Sequence, residues 1–504
     1  MTRIPFGSLP QMSALFLDYV GDPARLRKFY PRSYSIESIA AFARERKPLE
    51  RGHRDRLCAG LGGDKRSIEK LAAGAAAVIT GQQAALFAGP NYTILKAVTA
   101  IKLAKALDAA GVPAVPVFWI ASEDHDFQEI ESAYVLDRDS GLTHLRVDLS
   151  NTESSPVGWL KLGGDVSGAI STCLSSLPES EFQPQLRELL ECSYRPGVSP
   201  VDAFSAMLEK LFEGSGLILA NPLNPELRLL AQPTLVDAVR DHSRLLAAVQ
   251  ARGRELSEAG YHEQVKVDKN FTGLFAYRGK SRQALRPEEL SQELQLSANV
   301  LVRPVMQDSM FPTAAYVGGP AEVAYFAQAA AVYDALGRQV PPVYPRISAT
   351  VLESRVSRTL AKYGIDFLEV FRGRDFLRRK AVASVHGVEV FDRVREKIEA
   401  ELETLGPTLT AVDSTLAGAL DTSRQKIRHQ VEALRTKFVN AEARRNDTLE
   451  RHLEAIGNSI FPDKKFQERV LNVTSFLVRY GFGFTRRLEE ALNLDSREHQ
   501  VIEI

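Results

Sequence analysis

Cysteine is scarce in this sequence: Cys58, Cys173 and Cys192 are three residues among 504, an odd number with no CxxC pair. A chain long enough to bury a large core needs no disulfide staples, so they read as reduced thiols and the compartment as the cytoplasm. Cys192 has no histidine near it in sequence to activate it, which argues against a nucleophilic cysteine. Net charge is also missing, with 63 Lys and Arg against 63 Asp and Glu. No overall field draws the chain to nucleic acid or to anionic lipid, and neither is expected as a partner. The opening MTRIPFGSLPQMSALFLDYVGD has a short apolar run broken by Asp18 and no small-residue cleavage site, so no export signal is expected. One uncharged stretch, Leu71 to Leu95, is long enough to span a bilayer, but Gln82, Gln83, Pro90 and Asn91 lie inside it and exclude a span. The common metal and nucleotide signatures fail too. His262-Glu263 is followed by Lys266 where HExxH needs its second histidine, and the GKS at 279–281 has Leu274 where a Walker loop needs glycine. No protein-held metal is expected.

What is present is ordinary globular material, 44% hydrophobic and 25% charged, enough for two to four packed units. The apolar run AAAVIT at 75–80 ends at Gly81 and predicts a buried strand. Between Pro90 and Ala110, apolar residues recur near helical spacing, with Gly89 and Pro90 as start signals and Gly111 as a stop. VPAVPVFWIAS, 112–122, predicts a second strand, which completes a βαβ unit. Apolar runs GLILA (216–220) and VLVRPV (300–305) predict further strands, with helical patterns such as FSAMLEKLF (204–212) between them. Such alternation implies an α/β fold: a Rossmann-like, doubly wound parallel sheet with its site at the carboxyl ends of the strands. From about 142 to 200 the chain is rich in Ser, Gly and Pro and loses periodicity, as an insertion or lid would.

The character changes after about 386. Leu409, Val412, Leu416, Ala419, Ile427, Leu434, Phe438, Ala441, Leu449, Leu453 and Ile456 recur at three- and four-residue steps among charges, with Pro407 as a break after a first helix. The pattern predicts two helices in a coiled-coil arm, or an amphipathic bundle packed on the core. The expected organisation is therefore a core over 1–385, with the inserted segment at 142–200, a helical arm over 386–458, and a segment over 459–504 that returns to the core.

Three stretches carry candidate chemistry. Thr80-Gly81-Gln82-Gln83 and Gly89-Pro90-Asn91-Tyr92-Thr93 flank a strand-to-helix connection, where glycines allow close approach and free amides suit a phosphate or carboxylate; Lys96 lies one turn further on. The alternative is a pair of plain turns with a solvated lysine. Ser122-Glu123-Asp124-His125-Asp126 places four ionisable groups at a strand end, where a cation, an amine or hydroxyls would relieve their crowding; the alternative is an acidic helix start. In 303–328, Arg303, Gln307, Asp308, Tyr316, Glu322 and Tyr325 bring polar groups to an apolar context, and Arg346 follows; each taken singly is equally a core or loop anchor.

Taken together, ITGQQAALFAGPNYTILKAVTAIKLAKAL (79–107), VPVFWIASEDHDFQEI (115–130), RPVMQDSMFPTAAYVGGPAEVAYFAQ (303–328) and PPVYPRIS (341–348) resemble the bacillithiol biosynthesis cysteine-adding enzymes, the BshC family. The likeness runs from SALFLDYV near the start to FQERVLNVTSFLVRYG near the end. It departs at Ala85-Leu86-Phe87-Ala88, where the family pattern has a glycine after Ala84. The resemblance implies a core similar to nucleotidyltransferases and class I aminoacyl-tRNA synthetases, with inserted connecting segments and a coiled coil that makes a homodimer. It also implies addition of cysteine to glucosaminyl-malate, the last step to bacillithiol.

On that reading ATP, accompanied by Mg²⁺, activates cysteine's carboxylate by adenylation or phosphorylation. Gly81, Gln82, Gln83, Gly89, Asn91, Tyr92, Thr93 and Lys96 hold phosphate charge, and His125 or Asp126 is the base for the amine. Glu123, Asp124, Arg303, Gln307, Asp308, Tyr316, Glu322, Tyr325 and Arg346 contact the small-molecule substrates, with the arginines on the malyl carboxylates. Two readings of other classes stay open: a noncatalytic nucleotide-binding scaffold, and a metal-dependent amidase using Asp124, His125 and Asp126.

Overall fold

The computed structural model describes residues 2–149, 154–383, 389–445 and 447–504. Position 386, where the arm is expected to begin, and residues 150–153 of the expected insertion lie outside the described residues. The chain divides into two compact units, one of Met1–Arg138, Leu142–Thr350 and Glu468–Ile502, the other of Asp139–Gly141, Val351–Gln467 and Glu503–Ile504.

In the first unit, β1 is Leu61–Gly63 and β2 is Ala76–Gln82. Helix α1 follows at Tyr92–Ala109, ended by Gly111 at φ +75°, and β3 is Ala114–Ile120. This is the expected βαβ unit; β3 is buried along its whole length, as an unbroken apolar run requires. Helix α2 (Pro200–Leu211) leads to β4 (Ile218–Ala220). A small antiparallel sheet comes next, made of β5 (Leu274–Arg278), β6 (Ser281–Ala284) and β7 (Leu296–Ala298). The rejected GKS falls here: Gly279 and Lys280 are the two-residue turn between β5 and β6, with Gly279 at φ +62° as such a turn demands. Then come α3 (Arg303–Met310), β8 (Thr313–Gly318), α4 (Pro320–Ala335) and β9 (Val343–Pro345).

The main sheet has the order β9-β8-β2-β3-β4-β1, with all neighbours parallel except β1, which is antiparallel to β4. Strand β2 is central, with β3 on one side and β8, from more than two hundred residues later, on the other. Loops leaving the carboxyl ends of strands at such a point diverge and open a crevice. At Gly81 a Cβ would lie 2.7 Å from the Trp119 carbonyl oxygen, so only glycine lets β2 and β3 run this close at the crevice edge.

Two sequence expectations change in the first unit. The VLVRPV run is not a strand: α3 starts at Arg303 with Pro304 in its first turn, where a missing N–H is harmless, whereas a central strand needs that donor. The strand lies further on, in the small-residue run of β8. The segment 142–200, read as an insertion without periodicity, holds helices at Asp165–Ser176 and Gln183–Ser193.

Between β2 and α1 the chain makes a turn in which Phe87, Ala88 and Gly89 all have positive φ, at 53°, 64° and 69°. The first two lack glycine's freedom, and this is the stretch that departs from the family pattern. Asn472 holds the turn: its Nδ2 donates to the carbonyls of Leu86, Phe87 and Gly89 at 3.1, 3.1 and 2.9 Å. The Tyr194 hydroxyl accepts from the Ala88 amide at 3.0 Å.

The second unit is helical: α5 (Ser354–Lys362), α6 (Arg374–Ala383), α7 (Glu389–Val412), α8 (Leu416–Arg445) and α9 (Asp447–Ile460). It begins at Val351, earlier than the expected start of the arm. The reason is long-range: Arg374 and Arg378 of α6 pair with Glu450 of α9 at 2.9 and 2.7 Å. Helices α7 and α8 run antiparallel, with Phe391 against Phe438 (ring centroids 5.3 Å apart) and Glu399 paired with Arg428. Pro407 does not break the segment; it lies inside α7, and the helix ends at Asp413, whose Oδ1 accepts from the Thr415 amide and hydroxyl, each at 2.8 Å. That local turn competes with the helix more effectively than one proline. Leu449, Leu453 and Ile456 are buried, whereas Val412 and Leu434 are exposed. No helix among the described residues is long and apolar enough to cross a membrane.

Replacing Asn472 by Ala removes the side-chain donor from three buried carbonyls of strained backbone, of which, among the described residues, only Leu86 O keeps a second donor, the Gly89 amide at 3.0 Å. We expect the unfolding free energy to fall by about 2–3 kcal/mol, measured by denaturant titration; a change below about 0.5 kcal/mol would show that the turn is held otherwise.

Candidate active site

At the carboxyl ends of β2, β3, β8 and β9 lies a cavity of about 590 Å³. Each wall comes from a different part of the chain. Gly81, Gln82 and Gln83 follow from β2, with Tyr92 and Lys96 from α1; Glu123, Asp124, His125 and Glu129 follow β3. Phe275 of β5 and Arg282 of β6 contribute, then Arg303 of α3, the start of α4 from Gly319 to Glu322 with Tyr325, Arg346 after β9, and Arg469.

Lys96 organises one side. An ammonium has three N–H groups, and this one donates to Gly81 O at 2.6 Å and Gln82 Oε1 at 2.9 Å while pairing with Glu322 Oε2 at 2.6 Å. The phosphate role expected for Lys96 is thereby corrected: its donors are all engaged with protein. Because lysine can only donate, Gln82 must turn its oxygen to Lys96 and its Nε2 to the Tyr92 hydroxyl, 2.8 Å away. Glu322 also accepts from the Gly319 amide and the Tyr316 hydroxyl, both at 2.8 Å. Burial alone would raise its pKa, but Lys96 and these donors hold it below the ordinary glutamate value.

The carboxylates after β3 differ in their commitments. Glu123 Oε1 accepts from the Tyr277 hydroxyl at 2.6 Å and from Arg228 at 3.4 Å. Asp124 Oδ2 accepts from Gln83 Nε2 at 2.7 Å, and its Oδ1 from the His125 amide at 2.8 Å. Glu129 has no hydrogen bond or ion pair among the described residues.

His125 Nδ1 lies 3.2 Å from an Arg282 nitrogen. Arginine has no acceptor, so Nδ1 must carry a lone pair, and the neutral ring bears its proton on Nε2. Burial, then the Arg282 charge, lowers the His125 pKa. The expectation of His125 as a base is corrected: its paired nitrogen is occupied and its other nitrogen is a donor.

The cations are held in two ways. Arg346, buried, forms a two-pronged pair with Glu468 at 2.6 and 3.0 Å and donates to Ile347 O, but its buried Nε–H has no partner among the described residues. Its pKa is raised: burial opposes, and Glu468 prevails. Arg282, Arg303 and Arg469 form no ion pair among the described residues. Arg282 is fixed by neutral groups, Ser297 Oγ at 3.1 Å and Ala298 O at 2.8 Å, and lies 3.8 Å over the Phe275 ring. Arg303 donates to the Tyr325 hydroxyl at 2.7 Å.

Other predicted site residues lie elsewhere. The backbone amides of Asn91 and Thr93 donate to Leu471 O and Pro90 O, each at 2.9 Å, and are not free for a phosphate; both residues, with Gly89, lie off the cavity wall, although the buried Asn91 Nδ2 and Thr93 Oγ1 have no partner among the described residues. Asp126 is exposed and off the wall, so the Asp124-His125-Asp126 set does not converge. Asp308 pairs with Arg46 at 2.9 and 3.0 Å, Gln307 is buried beside it on α3, and Tyr316, off the wall itself, meets the site through Glu322 at 2.8 Å and Tyr325 at 3.4 Å. No group of three or more His, Cys, Asp or Glu among the described residues is arranged to hold a metal. Sequence reasoning missed Arg282, Glu129, Glu468 and Arg469. Glu129 lies inside the SEDHDFQEI stretch and Glu468-Arg469 inside FQERVLN, while nothing local marks Arg282.

Comparison with known proteins divides the chain near residue 348, with Glu468–Ile502 of the first unit falling in the second match. The model described as "Bacillithiol biosynthesis BshC, N-terminal Rossmann-like domain" matches residues 3–347, and "Bacillithiol biosynthesis BshC, C-terminal coiled-coil domain" matches 349–504. Relatives from Koribacter versatilis and Salinibacter ruber are 35% and 34% identical, over 99% of this chain and 99% and 98% of theirs. One from Solibacter usitatus is 33% identical over 99% of both chains. Each bears the name "Putative cysteine ligase BshC".

Behind Arg346, buried His499 contacts Ser348 Oγ at 2.8 Å and Thr350 Oγ1 at 2.9 Å, and Ser348 donates to Glu468 at 3.1 Å. Burial lowers the His499 pKa to about 4. The unfolded chain binds this proton near pH 6.5 and the folded one only near 4, so this stability is full above pH 6.5 and lost as pH falls toward 4. Glu468, itself held low, contributes its loss only below the ordinary glutamate range. We expect wild type to lose about 3 kcal/mol more than His499→Gln between pH 7 and 4, read from unfolding free energies; parallel pH slopes would contradict a neutral buried His499.

Proposed function

The chain belongs to the bacillithiol biosynthesis BshC family, and from that membership we propose that it is a ligase joining the carboxyl group of L-cysteine to the amine of glucosaminyl-malate. The bond formed is an amide C–N bond, the step is the last to bacillithiol, and the compartment is the cytoplasm. The core is of the nucleotidyltransferase and class I synthetase kind, and the α7–α8 hairpin makes a homodimer.

One observation carries the reading: a single cavity combines carboxylates with guanidinium groups that form no ion pair among the described residues. Both substrates bear charges of both signs, an amine and a carboxylate on cysteine, an amine and two carboxylates on glucosaminyl-malate. Glu123 and Asp124 offer acceptors for an ammonium. Arg282 and Arg303 suit carboxylates, which a planar guanidinium holds by two parallel hydrogen bonds.

Amide formation from a free carboxylate is uphill in water, and ATP, when bound with Mg²⁺, supplies the activation. The residues fit its phosphates. The unpartnered Nε–H of Arg346, the charge of Arg469 and the first amides of α4 all line the cavity, and a helix start favours anions. Lys96 acts on that anion region from behind, by holding Glu322 and so the first turn of α4. Gln82 accepts from Lys96 and donates to Tyr92, which leaves the Tyr92 hydroxyl proton free for a ligand oxygen.

Purified protein with cysteine and glucosaminyl-malate, with and without ATP and Mg²⁺, tests the reading by mass spectrometry. Product is expected only with ATP, and Arg303→Met is expected to lower kcat/KM by about 10²-fold. Nucleotide binding without product would point to a scaffold, and chelator-sensitive amide cleavage without ATP to an amidase.

A further inference from the structure

On the ligase reading, the amine that attacks cysteine's activated carboxyl arrives as an ammonium and must lose a proton before its lone pair is available. The cavity contains few groups able to take it. His125 is excluded at Nδ1 by Arg282 and at Nε2 by the proton it already carries. Glu322 is held by Lys96, Tyr316 and the Gly319 amide, Glu123 by Tyr277 and Arg228, and Asp124 by Gln83 and a backbone amide. Proton uptake by any of these removes the charge that strengthens its existing bonds. Glu129 alone among the wall carboxylates has no such bond among the described residues.

We propose that Glu129 is the general base for the attacking amine, a role that rests on the ligase reading. The Glu129 carboxylate takes one proton from the ammonium and passes it to solvent, to which its side chain is exposed. The freed lone pair forms the C–N bond while the C–O bond of the nucleoside-triphosphate-activated carboxyl breaks, its electron pair leaving with the oxygen. The second N–H proton, released as the nitrogen becomes an amide, goes to the same carboxylate.

The surroundings tune Glu129 for this. Glu129 is exposed on its outer side, and partial desolvation where it lines the cavity, then the charges of Asp126 and Asp124 on its own loop, raise its pKa, while Lys96 of α1 opposes them; Tyr92 of α1 also faces it. A carboxylate whose pKa is raised is a stronger base than a free one. Arg282 acts as a positioning residue: by fixing the His125 tautomer it makes that ring a hydrogen-bond donor to substrate.

The test is the pH dependence of kcat/KM for wild type, Glu129→Gln, Glu129→Asp and His125→Gln, with folding checked by thermal melting. Wild type should show an acidic limb. Glu129→Gln should lose that limb and fall about 10²-fold or more, Glu129→Asp should keep the limb at an intermediate rate, and His125→Gln should keep it. Calorimetric titration with glucosaminyl-malate should show a pH-dependent proton exchange that Glu129→Gln lacks. An intact limb in Glu129→Gln, or its loss in His125→Gln, overturns the assignment while leaving the ligase reading standing. Absence of product from wild type with ATP overturns the ligase reading and the base together.

Discussion

The buried pair between Lys96 and Glu322 is the constraint on which the site depends. It joins the end of β2, the first turns of α1 and the start of α4, three segments brought together only by the parallel sheet. Removing one member of such a pair leaves a buried charge unbalanced, typically at about 3–5 kcal/mol. The pair also decides the polarity of the cavity. A lysine saturated by protein acceptors adds no free charge, and a glutamate that caps Gly319 keeps its own charge from the ligand. What remains open at that end is the helix start and the arginines beyond it.

Groups that can only donate propagate order through the site. Lys96 fixes which way Gln82 faces and so what Tyr92 can do; Arg282 fixes the tautomer of His125 and so which proton the ring offers. Each follows from the absence of a lone pair on an ammonium or a guanidinium. The site's functional asymmetry is therefore written in residue type, provided the fold puts the residues within reach.

That proviso separates what the sequence reveals from what it hides. β2, α1 and β3 are legible because burial on both faces leaves an apolar run and a helix leaves its period, both local signals. Gly81, Gln82, Glu123 and Asp124 are legible for the same reason, as they sit at the ends of those elements. The dependence of Arg346 on Glu468, of His125 on Arg282 and of the Phe87–Gly89 turn on Asn472 is not local, since each partner is more than a hundred residues away. Asn91 and Thr93 misled because a helix start usually leaves amides free, and here a carbonyl from Leu471 had already met one of them. Pro407 misled for the opposite reason, a strong local signal outweighed by helix on both sides of it.

The arginines that form no ion pair among the described residues bear on what the cavity is for. A guanidinium withdrawn from water without a counter-ion is unfavourable unless other groups compensate. Arg282 is compensated by a hydroxyl, a carbonyl and an aromatic face, and Arg303 by the Tyr325 phenol, all of them neutral. Burial opposes the Arg303 charge, yet Tyr325, Tyr316 and Glu322 keep its pKa above the ordinary arginine value. Neutral acceptors fix the position of a cation without cancelling its field. A carboxylate in the same place would give more stability to the empty protein and less attraction to an anion. The protein instead keeps its carboxylates on Lys96, on Arg346 and at the end of β3. The surplus positive field at α3 and β6 is thus a structural cost that an anionic ligand relieves, and preorganisation of this kind holds in the transition state as well as in the ground state.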